Sequence, residues 1–520
     1  MRILALDGIH ADGLTLFRDA GWFVETGDPI KDPQQLADKL EGFDAVLVRS
    51  ATSITADSLA KAGNLKVIGR AGAGVDTIDV EAATARGIAV MNAPDGNTLA
   101  AAEHAISLLF ALARHIPKAD AGMKAGEWPK AGLTGFEVEG KRLGVIGLGR
   151  IGSTVARKAV GVGMEVAAYD PFLPAAAASR QSLQMKSLDE LLAWADIITL
   201  HIPRTKETTN IIGEAQMRLM RKGSYLINAA RGGLVDEDAL LKLLDEGHLA
   251  GAALDTFVTE PLQKDSPLRN NPKLILTPHL GASTSEAQQA VSTILARQII
   301  DFLKTGAVAG CVNLPPLTAE AAREVGPWMP LMTALGKLSA RLVPAPSKLQ
   351  ITYAGRTEAL DTRPLSRLLV AALLGSASGR VTPVNALHEA AARGLEVSET
   401  LGGDGDGFDR LLRIRVEGEG GAREIEATLH RGPRVVRLDG VELDFDPGAH
   451  ILLMRNEDKP GVIGQIGSQL GAAGVNIINF SLGTKGDGQA VAAITVDEQV
   501  TAQQLGDLRR IPGIVSLEMM

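Results

Sequence analysis

Cysteine is almost missing: Cys311 stands alone among 520 residues. No intrachain disulfide can form, which excludes a disulfide-stapled secreted scaffold and fits a reducing cytoplasm. Aromatics are scarce too, at 3%, so the cores must be aliphatic. Long apolar runs are absent. The most apolar stretch, Leu99–Ala113, carries Glu103 and His104 and is too short to span a bilayer, so no membrane partner is expected. Nor is there a basic surplus. The formal charge is −8 and the pI near 5.7, which argues against nucleic acid as the main partner. No metal is expected. The first ten residues, MRILALDGIH, read as a strand rather than a signal peptide.

Glycine, by contrast, is plentiful at 57 residues. Short Val/Ile/Leu runs alternate with helical patterns, and this combination predicts parallel sheets with helical crossovers. The length calls for about three or four domains. In the first 97 residues, Ile3–Leu6, Ala45–Val48, Lys66–Ile68 and Ala89–Met91 read as strands, with helices at Pro33–Leu40 and Ala56–Ala62. Leu99–Arg114 reads as a helix capped by Asn97 and Thr98, followed by a polar loop over Lys118–Val138. A second strand–helix series occupies 141–280, with strands at Arg142–Ile146, Glu165–Tyr169, Ile197–Leu200, Tyr225–Asn228, Gly251–Leu254 and Leu274–Leu276. A helix over 285–304 should pack back on the first domain, and Gly306–Pro316 reads as a linker. Residues 317–448 read as an α+β domain, and 449–520 as a compact βαββαβ unit.

The clearest motif is Gly147-Leu148-Gly149-Arg150-Ile151-Gly152, between the strand Arg142–Ile146 and the helical pattern Ser153–Val160. A GxGxxG alone is weak, but strand before and helix after are the context a dinucleotide site needs. Gly147 permits the tight turn, Gly149 lets a pyrophosphate approach the backbone, and Gly152 lets helix and strand pack closely. Asp170 ends the next strand, where a carboxylate accepts from a ribose diol and repels a 2′-phosphate; this favours NAD over NADP. Its bland alternative is a turn aspartate before Pro171. His201, at another strand end, either lines the cofactor cleft or is structural.

Three ionisable residues follow later strands of the same series: Arg231 in Asn228-Ala229-Ala230-Arg231, Glu260 in Val258-Thr259-Glu260-Pro261, and His279 in Thr277-Pro278-His279-Leu280. Ligands of open parallel sheets bind beyond the carboxyl ends of strands, so the three can converge. Oxidising a secondary alcohol by hydride transfer needs a base for the hydroxyl proton, commonly histidine. A carboxylate fixes its tautomer, and an arginine holds the substrate carboxylate. Singly, each has a dull reading: a surface ion pair, a helix-start acid, a core histidine. Together, behind a cofactor fingerprint, they reverse those odds.

These segments, with Leu226–Asp236, Ala253–Pro261 and Leu276–Ser283, resemble the D-isomer-specific 2-hydroxyacid dehydrogenases over roughly residues 1–312. The resemblance implies that Arg231 and His279 are catalytic, that Glu260 supports His279, that Ala229 lines the cofactor site, and that Asp255 meets the nicotinamide carboxamide. It also implies a flavodoxin-like substrate domain split over 1–98 and 281–312. A Rossmann-like doubly wound cofactor domain over 99–280 is inserted in it, and dimers form through the Leu99–Arg114 region.

For the substrate, Arg49 follows the strand Ala45–Val48, and Arg70 opens the loop Ala71-Gly72-Ala73-Gly74. Two arginines can grip a phosphate, and backbone N–H groups at Ala73 and Gly74 can hold a carboxylate. Structural pairing with Asp44 or Asp76 is the alternative. The pattern resembles the long-form members of the family that oxidise 3-phospho-D-glycerate to 3-phosphohydroxypyruvate, the first step of L-serine synthesis. Residues 449–520 resemble an ACT domain through Arg455–Gly461 and Gly474–Ile477, and 317–448 resemble the intervening domain of those long forms. That resemblance implies a homodimer or homotetramer and feedback by L-serine at Asn456, Asp458 and Asn476, Asn456 standing where a ring side chain is common. Two other readings stay open. One is another 2-hydroxyacid substrate, such as glyoxylate, hydroxypyruvate or 2-oxoglutarate. The other is an NAD(H)-sensing corepressor-like binding protein, a group that lacks an ACT module.

Overall fold

A computed structural model describes the chain except residues 174–182, 306–307, 309, 316, 318, 358–359, 376–380, 485 and 487. The expected linker Gly306–Pro316 therefore lies partly outside the described residues. Four sheets organise the rest.

The first sheet is wholly parallel, in the spatial order Phe23–Thr26, Arg2–Ala5, Ala45–Val48, Val67–Arg70, Ala89–Asn92. This is the flavodoxin-like order, with the chain reversing direction across the sheet at its first strand. Both faces of its inner strands are covered: Val46, Leu47, Ile68 and Val90 are fully buried. Each such aliphatic side chain contributes roughly 1.5–3 kcal/mol on leaving water. Helix Ser285–Thr305 packs across this sheet, Val291, Leu295 and Ile299 joining Ile3, Leu47 and Val67 in one core.

The second sheet is also parallel. Its order is Leu274–Leu276, Leu249–Leu254, Ser224–Asn228, Ile197–Leu200, Arg142–Ile146, Glu165–Tyr169, Gln184–Met185. Numbered from Arg142–Ile146, that is the doubly wound nucleotide-binding order with one added strand, and its direction reverses between Arg142–Ile146 and Ile197–Leu200. Helix Thr98–Arg114 belongs to this layer: Ala102, Leu109 and Leu112 pack with Leu143, Val145 and Ile227.

Several expectations fail locally. Ala56–Ala62 is a run of turns, because Ser58 and Thr55 exchange side-chain and backbone hydrogen bonds at 2.8 Å that compete with a helix. The polar loop begins as a helix, Ile116–Lys124, with Pro117 in its first turn. Phe23–Thr26 and Gln184–Met185 are edge strands without an apolar run.

Residues beyond 317 form a six-stranded mixed sheet and a four-stranded antiparallel one. In the latter, Ile477–Thr484, Gln489–Val496, His450–Glu457 and Ile514–Met519 lie side by side under helices Val462–Ala472 and Ala502–Leu508, a βαββαβ unit. The strand after the first helix of this unit runs from Ile477 to Thr484. This unit is less separate than its compactness suggested. Strand alternation sends Leu452 and Met454 towards its own helices, while Ile451 and Leu453 join the core of the preceding sheet.

Candidate active site

The fingerprint folds as its glycines require. Gly147 sits at φ 97°, and a Cβ there would lie 2.6 Å from the His201 carbonyl oxygen. A Cβ on Gly152 would lie 1.8 Å from the Gly147 oxygen, whereas Gly149 faces open space. Helix Arg150–Gly161 starts at Gly149 without a side-chain cap, leaving its first N–H groups for an anion. This cradle fits a dinucleotide pyrophosphate. Asp170 lies beside it: one carboxylate oxygen accepts from Leu148 N at 2.7 Å, the other from Phe172 N at 2.8 Å. It thus fulfils the turn role while standing at the fingerprint. His201 is half-buried behind the glycines, bonded to Thr199 Oγ1 at 2.9 Å, and desolvation pushes its imidazole down to about 4. The ring is neutral at pH 7. Arg150 reaches Asp95 of the first lobe at 2.5 Å, and Ile151 packs into the core under the helix.

Arg231, Glu260 and His279 follow three strands that are neighbours in the sheet. Glu260 Oε2 meets His279 Nδ1 at 2.7 Å, while Oε1 accepts from Phe257 N at 3.0 Å. Burial raises the Glu260 carboxyl, but the bond to His279 and the attached charge outweigh it, so the group ends below its ordinary range. With Nδ1 held, Nε2 of His279 is left for a substrate proton. The Arg231 turn is tied by Asn228, whose Nδ2 donates to Arg231 O at 2.9 Å and whose Oδ1 accepts from Ala230 N at 3.2 Å; Ala229 lies within that turn. Beside it, Gly232 presses so closely on Phe257 that a Cβ would lie 1.7 Å from that carbonyl oxygen, which locks the arginine loop to the glutamate loop.

Across the cleft stands the first lobe. Arg49 and Arg70 end adjacent strands. Asp7 accepts from Arg49 N at 2.8 Å and Thr52 N at 3.0 Å, fixing the Arg49 turn. Arg70 is pushed down to about 10, first by burial and then by the positive charges of Arg231 and Arg49. Among the described residues its Nε is buried without a partner. The suggested structural pairings do not form: Asp44 holds Lys66 at 3.0 Å, and Asp76 holds Arg231 at 3.0 Å. Arg231 and Arg49 therefore stand near enough to Arg70 to repel its charge, with Asp76 offsetting Arg231. Ala73 and Gly74 line the loop beneath; a Cβ on Gly74 would lie 2.3 Å from the Arg231 Nη2 atom.

Asp255 is fully buried under the loop that carries His279, and its oxygens accept from Thr277 Oγ1 at 2.6 Å, Leu280 N at 2.8 Å and Gly281 N at 3.0 Å. Sequence reasoning also missed Asp76, the cross-cleft partner of Arg231, and His104, which lies 3.1 Å from Asp255. An imidazole in an Ala-rich helix was the available signal for His104; nothing local marks Asp76. A cavity of about 680 Å³ lined by Lys66, Arg86 and Arg367 lies elsewhere, at the amino ends of the first sheet's strands.

In the C-terminal unit, Asp458 and Asn476 are exposed, whereas Asn456 is 2% exposed. Asn456 shares the strand face of Leu452 and Met454, under the helices. Its Nδ2 donates to the Glu457 carbonyl at 2.8 Å, and its Oδ1 has no partner among the described residues. Asn456 thus points into the unit's own core, unlike Asp458 and Asn476.

Among the described residues, no single helix is long and apolar enough to cross a membrane. Residues 106–281 match the NAD binding domain of D-isomer specific 2-hydroxyacid dehydrogenases, 324–439 the D-3-phosphoglycerate dehydrogenase intervening domain, and 450–513 the ACT domain. The chain is 37% identical to D-3-phosphoglycerate dehydrogenase of Bacillus subtilis, over 100% of this chain and 99% of that one. It is 37% identical to the protein of the same name from Archaeoglobus fulgidus, over 99% of both. Among solved structures, the TT0316 protein from Thermus thermophilus superposes with a TM-score of 0.56 at 32% identity, covering 60% of this chain and all of that one. Fingerprint, cleft and two matching C-terminal modules thus follow in one order along relatives of equal length, and the chain belongs to the D-3-phosphoglycerate dehydrogenase family of NAD-dependent D-2-hydroxyacid dehydrogenases.

Proposed function

We infer that the cleft oxidises 3-phospho-D-glycerate at C2, giving 3-phosphohydroxypyruvate, NADH and a proton, the first step towards L-serine. The observation that carries this reading is the meeting of Arg49, Arg70 and Arg231 opposite the His279–Glu260 pair. The Gly147–Gly152 cradle would hold the pyrophosphate of NAD, which when bound would supply the hydride acceptor. Asp170 serves its ribose hydroxyls, and Ala229 and His201 border the same crevice. Arg231 holds the C1 carboxylate and the C2 oxygen. Ala73 and Gly74 offer backbone N–H groups to that carboxylate, and Arg49 with Arg70 takes the phosphate. His279 Nε2 accepts the C2 hydroxyl proton while the C2 hydrogen leaves with both bonding electrons. Glu260 stabilises the imidazolium so formed and holds its tautomer. Charges balance: one hydroxyl proton goes to His279 and then to solvent, one hydride to NAD.

The family names support phosphoglycerate over the other 2-hydroxy acids. Steady-state NADH formation tests the choice. 3-Phospho-D-glycerate is expected to outrun D-glycerate and 2-hydroxyglutarate, and Arg49→Ala to raise KM for the phosphorylated acid chiefly. Equal rates with all three acids would contradict it.

The ACT match supports an amino-acid effector, and we infer that it is L-serine, held by Asp458 and Asn476. Leu99, Phe110, Ile116, Met123 and Trp128 are exposed on or beside the helices Thr98–Arg114 and Ile116–Lys124; such a patch supports assembly as a homodimer or homotetramer. The buried Cys311 thiol, pushed up to about 11 by desolvation, has no need of an oxidising compartment, and we place the chain in the cytoplasm.

A further inference from the structure

His279 stands at φ 56°, a left-handed conformation that costs a non-glycine residue free energy unless its surroundings impose it. The surroundings here are one carboxylate. Asp255 Oδ1 accepts from the Thr277 hydroxyl on one side of His279 and from Leu280 N on the other, and Oδ2 accepts from Gly281 N. The loop 277–281 is thus pinned at both flanks of the residue that must present its ring.

A fourth donor completes this arrangement. His104, two turns into helix Thr98–Arg114, brings Nε2 to 3.1 Å from Asp255 Oδ1 and 3.3 Å from Thr277 Oγ1. Thr277 already donates to Asp255, so the His104 Nε2–H bridges both acceptor oxygens. Burial alone would drive the Asp255 carboxyl up, yet His104, Thr277 and Leu280 N hold it below its ordinary range. His104 enters from a helix that packs on the second sheet immediately after the chain leaves the first.

We propose that His104 is a positioning residue for His279, acting through Asp255 and Thr277. The His279 imidazole is then set by two carboxylates: Glu260 fixes the ring, and Asp255, anchored by His104, fixes the backbone that carries it. Without the His104 donor, Asp255 keeps a buried charge with one bond fewer, and the loop relaxes around it. An error of about 1 Å in the base costs on the order of 10²-fold in rate. The proposal rests on His279 being the base.

The test compares His104→Leu with His104→Gln, whose amide nitrogen reaches the place of Nε2, each alone and combined with His279→Ala. His104→Leu is expected to lower kcat about 10- to 100-fold. KM for phosphoglycerate and the dissociation constant of NADH should stay near wild type, and His104→Gln should restore most of the rate. In the His279→Ala background, His104→Leu should cost nothing further, because the group it positions is gone. A merely structural histidine predicts an equal loss in both backgrounds, and that result, or full turnover in His104→Leu, overturns the proposal. Should the leucine variant not fold, His104→Asn, whose amide falls short of Asp255, replaces it. If His279→Ala itself keeps wild-type turnover, the reading of the base fails instead.

Discussion

The catalytic cleft and the C-terminal effector region were both anticipated from short motifs, yet they differ in completeness within one chain. In the cleft, Glu260 meets His279 at 2.7 Å, Asp76 meets Arg231 at 3.0 Å, and Arg231 and Arg49 bear on the buried Arg70. In the effector region, Asp458 and Asn476 stay exposed and Asn456 turns inward. The cleft draws its parts from two lobes of the same chain. The C-terminal unit holds Asp458 and Asn476 at its exposed surface. Chemistry needs a preorganised site, whereas a regulatory site can await assembly.

The comparison sharpens under mutation. The largest effect belongs to His279→Ala, which should lower kcat about 10²- to 10⁴-fold, the share of a general base. Arg231→Ala should follow at about 10²- to 10³-fold in kcat/KM, as expected for removing a charge-stabilising donor. Asp458→Ala should weaken L-serine inhibition, read as a shift of the half-inhibitory concentration. If it instead abolished turnover, the two regions would not be separable. The smallest effect concerns acid stability. The folded Glu260 carboxyl lies below its ordinary value, so its contribution is in place above about pH 4.5 and disappears as pH falls through the lowered value. Thermal melts from pH 7 to pH 3 should show Glu260→Gln losing less stability on acidification than the parent chain.

What could be read from sequence tracks how local the cause is. Gly147, Gly149 and Gly152 are dictated by a turn, a close approach and a helix packed on its strand, all within six residues. Arg231, Glu260 and His279 were legible because strand ends in a parallel sheet share one edge. Asp76 was not, since its partner arrives from the other lobe. The bonds from Thr277, Leu280 and Gly281 to Asp255 were not legible either, since they join a strand end to a loop about 25 residues away. Asn456 and Asp458 have the same parity but differ in burial, because the strand ends at Glu457 and Asp458 lies beyond it. Ala56–Ala62 has helical composition, but Thr55 and Ser58 satisfy their own backbone first.

The most direct test follows the hydrogen itself. Wild-type protein and His279→Ala are each given NAD and phosphoglycerate deuterated at C2, the deuterium in NADH is measured over time, and NADH affinity is titrated in parallel. The account predicts that wild type transfers the label to NADH. It predicts that His279→Ala binds NADH as well as wild type but forms labelled NADH far more slowly. Unlabelled NADH from wild type, or label transfer at the wild-type rate by His279→Ala, would contradict it.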